Sequence, residues 1–380
     1  MNRNAASVSD YRELARARLP HYLFEYLDGG SYDEVTLRAN VTDLAAVSLR
    51  QRVLRDVSQI ELSTQLFGKH WAMPVGLGPI GLAGFYARRG EVQAARAAAA
   101  AGVPFALSTV GGCSIREVAQ SGHVPWFQLY FVKDRGIVAG LIERAREAGC
   151  QALILTVDLA VPGARYRDSR AAGGGLSRGL QLAARLGWLW DVGLRGRPHS
   201  LGNLEEIVGR SAPLSDFQRW IHANFDPTVT WRDVDWVRKQ WSGPLIIKGI
   251  LDPDDAREAQ ANGADAIVVS NHGGRQLDGA LSSARALPRI ADVIGGRMPL
   301  LADGGIRSGL DVVRMLALGA DFVLLGRAWA YALAAGGNHG VTHVLRLIEA
   351  EMRVAMALTG TTTVAELGPQ ILDQISGRGA

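Results

Sequence analysis

Short apolar runs recur along this chain, each bounded by turn residues and followed by a segment of helical periodicity. The runs are PVGLGP (74–79), FALST (105–109), WFQLY (126–130), LILTVD (153–158), LIIKGI (245–250), AIVVSNH (266–272), PLLADGG (299–305) and FVLLGR (322–327). Near-continuous apolarity, rather than strict alternation, predicts parallel strands buried on both faces. The intervening segments EVQAARAAAAAG (91–102), DRGIVAGLIERAREAGC (134–150), DPDDAREAQANGA (252–264) and SGLDVVRMLALGA (308–320) predict helices. Three helix ends read AAGVPF, ANGADAIV and ALGADFVL. Each puts a Gly where a helix turns straight into the next strand. Strand–helix alternation predicts a parallel α/β sheet, and eight units predict closure into a (β/α)8 barrel. An open doubly wound sheet is the alternative.

Two regions break this pattern. Residues 1–70 precede the first strand and predict a helix over about 9–27 plus a small cap. Residues 160–230 form a long insertion after strand four, with GGG at 173–175 and Trp188, Trp190 and Trp220. An insertion of that length in a compact barrel is functional or mobile. No linker divides the chain, so residues 1–380 read as one domain.

Charge and cysteine content narrow the function. The net charge of +4 is too small to argue for nucleic acid. It is concentrated: residues 163–197 hold seven Arg against Asp168 and Asp191. Cys113 and Cys150 provide neither a disulfide framework nor metal-ligand spacing, which fits a reducing, cytoplasmic setting without a metal. The N-terminus MNRNAASVSDYRELARARLP has no apolar core, so no secretory signal is expected. Residues 97–115 are uncharged and long enough to suggest a membrane span. Gly102, Pro104, Gly111 and Gly112 cut that stretch into shorter pieces.

Barrel active sites form at the C-terminal ends of the strands. Those ends supply Ser108, Gln128 with Tyr130, Thr156 with Asp158, Lys248, His272 and Asp303. Packing requires none of them. His272, in SNHGGR, is placed for a general base, because imidazole titrates near neutrality. Asp158 is placed to hold the ring and stabilise its charged form. The alternative is a His that merely caps a loop. Arg165 and Arg275 suggest an anionic substrate, since the guanidinium fork binds a carboxylate bidentately. For Arg165 the alternative is a solvated charge. Tyr26 and Tyr130 are candidates to bond the substrate. Lys248 lies within an apolar strand and needs a partner, either an ion pair or negative charge developing on a cofactor ring.

Asp303-Gly304-Gly305-Ile306-Arg307 leads into a helix at Ser308, and strand eight ends Gly326-Arg327. Glycine-rich turns at helix N-termini after strands seven and eight suggest a phosphate site. The 76–81 stretch matches G-x-G-x-x-G, but Pro79 interrupts it and the next strand ends without an acidic residue. A nicotinamide dinucleotide fold is therefore not expected.

SNHGGRQLDG (270–279), YLDGG (26–30), WFQLY, TVD, ARYRD (164–168), KGIL and ADGGIR occur in an order that resembles the FMN-dependent 2-hydroxy-acid dehydrogenases and oxidases. The resemblance runs from about residue 9 to 370. WDVGLRGRPHSLGN (190–203), ANFDPTVTW (223–231) and DGALSSARALP (278–288) are similar to the bacterial respiratory L-lactate dehydrogenases of that family. It departs at Gly111-Gly112-Cys113, where Ser-Val-Cys is expected, and in the Gly-rich stretch 171–182.

The resemblance implies an FMN enzyme that oxidises a small 2-hydroxy acid, L-lactate foremost, and passes electrons to quinone or another respiratory acceptor. It implies His272 as base with Asp158, and Tyr26, Tyr130, Arg165 and Arg275 on the substrate. Gly81, Ser108, Gln128, Thr156 and Lys248 would contact the flavin. Asp303, Gly304, Gly305, Arg307, Gly326 and Arg327 would bind its phosphate. It further implies a homotetramer, and peripheral attachment of the basic insertion to the inner face of the cell membrane. Mandelate or glycolate as substrate, O2 as acceptor, and a non-redox phosphate-binding barrel are the alternatives.

Overall fold

The computed structural model describes residues 5–171, 179, 181–197, 199–209, 220 and 223–373. Gly173–Gly175 and Arg178 lie outside the described residues. All eight apolar runs are strands: β1 (Val75–Leu77), β2 (Ala106–Ser108), β3 (Trp126–Tyr130), β4 (Leu153–Thr156), β5 (Leu245–Ile250), β6 (Ala266–Val269), β7 (Leu300–Ala302) and β8 (Phe322–Leu325). They pair in parallel in sequence order, and β8 returns to β1. The remaining gap closes through a parallel bridge, Leu77 to Phe105, with Leu77 N donating to Pro104 O at 2.9 Å. The structure is therefore the expected (β/α)8 barrel.

Helices surround the strands as the sequence predicts. Gly102, Gly263 and Gly319 each take a positive φ at a helix end (65°, 80° and 108°). Asp134, Asp252 and Ser308 cap helices Arg135–Glu147, Pro253–Ala261 and Gly309–Ala317 by accepting a backbone N–H.

The barrel interior is filled at one end only. Ala106, Trp126, Ile154, Ile246, Val268 and Phe322 belong to a separate inner core. A hairpin, Thr64–Leu66 with Lys69–Trp71, seals the N-terminal end. Its Phe67 and Trp71 rings stand edge-on to Trp126 at 6.0 and 6.1 Å. Full burial of such a ring is worth about 1.5–3 kcal/mol; Trp126 is buried, and Phe67 and Trp71 are half-buried against it. Polar strand ends are thus left at the opposite, C-terminal mouth.

The N-terminal cap corrects one expectation. The single helix over 9–27 is two helices, Val8–Arg18 and His21–Asp28. Pro20 forces Leu19 into an extended conformation (φ −73°, ψ 147°) and ends the first helix. The second helix and helix Val35–Ala45 cover the barrel mouth. Asn40, on the latter, exchanges two 2.8 Å hydrogen bonds with Asn271 after β6.

The described part of the insertion is anchored to the body. Trp188 Nε1 donates to Phe85 O at 2.8 Å, and Arg18 pairs with Asp191 at 2.7 Å. The uncharged 97–115 stretch holds a helix ending at Ala100, strand β2 and the start of a helix at Ile115. Among the described residues no helix is long and apolar enough to cross a membrane. Cys113 and Cys150 are buried free thiols.

Candidate active site

A cavity of about 570 Å³ opens at the C-terminal mouth. Its wall includes Tyr26, Gly81, Tyr130, Thr156, Arg165, Lys248, His272, Arg275, Asp303, Gly304, Gly305, Arg307, Gly326 and Arg327. Residues that lie far apart in sequence thus meet as expected from the strand ends. Asp158 stands behind this wall, bonded to His272. Ser108 and Gln128 are buried beside it: the Ser108 hydroxyl donates to Gln128 Oε1 at 3.0 Å.

His272 sits in the turn after β6 with φ 57°, a conformation uncommon for a non-glycine residue. Its backbone N–H donates to Ser270 Oγ at 3.1 Å. Its Nδ1 lies 2.8 Å from Asp158 Oδ1. Burial lowers the imidazole pKa below its ordinary value of 6.5, assisted by Lys248 and Arg165, while Asp158 works the other way. Burial also works against the Asp158 charge. His272 and Lys248 outweigh it and hold that carboxyl below its usual range. At neutral pH the ring is therefore neutral beside a carboxylate that only accepts. Nδ1 carries the proton, and Nε2 is left as an acceptor.

Lys248 is buried at 4% exposure. Its Nζ donates to Ser270 Oγ at 2.9 Å and pairs with Asp303 at 3.2 Å. Burial opposes its charge, but Asp303 and Asp158 more than offset this and raise its pKa. The ammonium therefore persists inside the barrel.

Two guanidinium groups flank the Tyr26 ring. Arg275 lies 4.9 Å from its centroid and Arg165 5.9 Å. Arg275 is aimed by two backbone carbonyls, Tyr26 O and Gly29 O, each at 2.7 Å. Among the described residues no carboxylate pairs with Arg275. Among the described residues, the carboxylate that pairs with Arg165 is that of Asp168, at 3.8 Å. Burial raises the Asp168 pKa, although both arginines pull it down. Tyr130 also faces the cavity, its hydroxyl pKa raised by burial and by Asp158.

The residues fit FMN. Six buried polar atoms around the mouth lack a partner among the described residues: Gln128 Nε2, Thr156 Oγ1, Asp158 Oδ2, Arg165 Nε, Asp168 Oδ1 and Asp303 Oδ1. Buried polar groups of folded proteins are normally bonded, so this set calls for a polar ligand. Gln128, Thr156 and Lys248 would hold the polar edge of a flavin ring. The stretch Gly78-Pro79-Ile80-Gly81 gives the wall an apolar face. At the far end, Gly304 and Gly305 adopt φ of 100° and 83°, and helix Gly309–Ala317 starts just beyond. With Arg307, they would form an anion cradle for the phosphate. Arg327 is less free than its position suggests. Its guanidinium donates to Leu27 O (3.1 Å), Gly273 O (2.8 Å) and Gly29 O (2.8 Å), so it ties loops together. Asp303 serves as the Lys248 counter-ion.

Sequence reasoning missed the supports behind this wall. Arg167 bonds Glu25, Asp28 and Glu34 at once. It joins the helix bearing Tyr26 to the segment bearing Arg165. Gln276 staples the loops after β4 and β6: its Nε2 donates to Asp158 O (2.8 Å) and Val161 O (3.0 Å), and its Oε1 accepts from Gly163 N (3.2 Å). Phe225 reaches the cavity from the insertion, its ring 5.2 Å from that of Tyr130. An uncompensated Arg beside an acidic YLDGG segment was the one available signal.

This fold and site define a flavin-dependent oxidoreductase. The chain belongs to the FMN-dependent dehydrogenase family, whose model matches residues 15–374, and FMN is its cofactor. It is 60% identical over 380 residues to L-lactate dehydrogenase of Xanthomonas campestris pv. campestris (strain B100), covering 99% of this chain and 98% of the relative. The L-lactate dehydrogenase of Caulobacter sp. (strain K31) is 59% identical over 372 residues, covering 97% and 98%. Among solved structures, (S)-mandelate dehydrogenase, described as a monotopic membrane protein, superposes with a TM-score of 0.92 at 36% identity. That match covers 98% of this chain and 100% of that one. Mandelate oxidase matches with a TM-score of 0.83 at 37% identity over 97% and 98% of the chains.

Proposed function

We propose that this enzyme oxidises L-lactate to pyruvate and delivers the electrons to a respiratory acceptor. The observation that carries the reading is the His272 imidazole, 2.8 Å from Asp158, facing the same cavity as two arginines with little carboxylate pairing among the described residues. Arg165 and Arg275 bind the substrate carboxylate. Tyr26 and Tyr130 orient the substrate through their hydroxyls. His272 Nε2 takes one proton from the substrate, and Asp158 stabilises the imidazolium that forms. Bound FMN supplies the two-electron acceptor. Lys248, kept charged by Asp303, offers positive charge to the ring. Gly304, Gly305, Gly326 and Arg307 hold the phosphate, and Ser108 fixes Gln128. L-Lactate is favoured over mandelate and glycolate by the names of the 60% identical relatives.

Anaerobic mixing of the holoenzyme with L-lactate tests this. Rapid bleaching of the flavin absorbance is expected. Bleaching by mandelate or glycolate but not by lactate would overturn the substrate assignment. Stoichiometric peroxide formation in air would replace the respiratory acceptor with O2.

A second observation supports a quinone acceptor at the inner face of the membrane. Leu186, Trp190 and Leu194 are exposed at 71%, 61% and 49%. They recur every fourth residue along one helical stretch, whose Trp188 and Val192 are buried. Arg185, Arg195 and Arg197 flank them. An apolar helical face with basic neighbours suits the surface of an anionic bilayer. The holoenzyme should co-sediment with anionic vesicles, and the triple variant Leu186→Ser, Trp190→Ser, Leu194→Ser should not. Equal binding would refute the docking. The assembly supported by the family resemblance is a homotetramer, to be read by light scattering.

A further inference from the structure

Asp158 meets His272 across strand β5, and the β5 backbone there is irregular. Its register with β6 shifts between Lys248 and Ile250. Gly249 occupies the shift at φ 112°, where any side chain is strained. A Cβ placed on Gly249 would stand 2.6 Å from both Cβ and Cγ of Asp158 and 2.9 Å from its backbone nitrogen. Carbon atoms in contact normally lie about 3.5–4.0 Å apart. These are the stem of the side chain and the main chain, not a flexible tip.

Asp158 has no room to retreat. Val157 N donates to Lys248 O at 2.9 Å, fixing the backbone just before it. Asp158 O accepts from Gln276 Nε2 at 2.8 Å, and that amide is held by two further bonds to the same loop. A methyl group on Gly249 therefore displaces the carboxylate or pushes β5, with Lys248, away.

We propose that Gly249 is a positioning residue whose missing side chain sets the Asp158 carboxylate against the His272 imidazole, with Gln276 holding it from the far side. Among the described residues, the charged groups that act most on that imidazole are Asp158, Lys248 and Arg165. Of these, Asp158 alone favours the protonated ring. Displacing it leaves two cations and lowers the affinity of the ring for a proton. The consequence for turnover rests on His272 being the base; the consequence for the titration of the ring does not.

The test compares wild-type, Gly249→Ala and Asp158→Asn holoenzymes. Histidine is 13C-labelled, and the His272 resonance is assigned by its loss in His272→Asn. In Gly249→Ala the imidazole should titrate at lower pH than in wild type, in the same direction as in Asp158→Asn. Turnover should fall by about 10²-fold, the cost of a displacement of about 1 Å. If the imidazole of Gly249→Ala titrates with wild type while that of Asp158→Asn shifts, the proposal fails. A shifted imidazole with unchanged turnover keeps the positioning role and unseats His272 as base. If Gly249→Ala does not fold, the pair Asp158→Gly and Asp158→Gly/Gly249→Ala decides. Asp158→Gly removes the two side-chain carbons the methyl meets and leaves the backbone strain at φ 112°, so the double variant should fold where Gly249→Ala does not, melting below Asp158→Gly by that strain alone. A double variant as unstable as Gly249→Ala would overturn the steric argument.

Discussion

Replacing Asp28 by Asn should weaken the fold and loosen the substrate site together. Asp28 is 6% exposed and accepts four hydrogen bonds. They come from Arg12 Nε (2.6 Å) and Nη2 (2.8 Å), Arg167 Nη2 (2.9 Å) and the Tyr331 hydroxyl (2.6 Å). An Asn can still accept at one oxygen, but its NH2 then faces a guanidinium N–H. Breaking a buried ion pair from one side costs about 3–5 kcal/mol. Arg12 is 40% exposed, so solvent screens part of that interaction, and the lower end, about 3 kcal/mol, applies. Urea unfolding at neutral pH reads the loss. The sign with pH is fixed. Arg12, Tyr331 and Arg167 hold the Asp28 carboxyl well below the usual range although burial opposes them. Its contribution is then complete above about pH 3.9, the unfolded value, and fades as pH falls further. The difference between wild type and variant should shrink below that pH. Function should follow, because Asp28 ends the helix bearing Tyr26 and bonds Arg167, two residues from Arg165. KM should rise several-fold with little change in kcat. A stability change under about 0.5 kcal/mol, typical of surface substitutions, would refute the reasoning.

Three further outcomes follow from the site. His272→Asn should keep its flavin spectrum and lose about 10⁴-fold or more in turnover, the cost of disabling a comparable catalytic triad; near-normal turnover would remove His272 from the mechanism. kcat/KM should rise with pH through an apparent pKa below 6.5, because burial, Lys248 and Arg165 lower the imidazole and a base acts only when neutral; a limb above 6.5 would contradict this. Arg275→Lys should reduce kcat/KM by about 10–10²-fold, since an ammonium cannot make the paired contact of a guanidinium and a lost charged hydrogen bond is worth about 1.5–3 kcal/mol; steady-state kinetics read it.

The barrel was legible because eight buried parallel strands leave eight unbroken apolar runs. The candidate site was legible for a related reason. A polar residue ending such a run has no packing role, and His272, Lys248 and Thr156 stood out against their strands. Two kinds of feature were hidden. The break at Pro20 lay inside an otherwise helical pattern, and amphipathic periodicity outweighed one residue. The supports behind the wall, Arg167 and Gln276, sit on irregular segments, where no periodicity predicts the direction of a side chain. Gly249 was visible only as a Gly in an apolar strand; its close approach to Asp158 exists only once β4 and β5 are in register.

The charges at the mouth give the site its remaining logic. Arg165, Arg275, Arg307, Arg327 and Lys248 line one cavity with Asp168 and Asp303. Several of the cations disfavour one another. Burial, then Arg275, lowers the Arg165 pKa. Burial lowers that of Arg327 to about 10, with Arg275 and Arg307 contributing. Such a mouth is electrostatically unsatisfied without anions. On the proposed assignment, FMN would bring a phosphate to the Arg307 end, and a 2-hydroxy acid would bring a carboxylate to the Arg275 end. Each anion relieves repulsion that the folded chain otherwise bears, so each binds the folded state in preference to the unfolded one. Cofactor and substrate bound there would therefore add to the stability of the barrel mouth as well as to its chemistry.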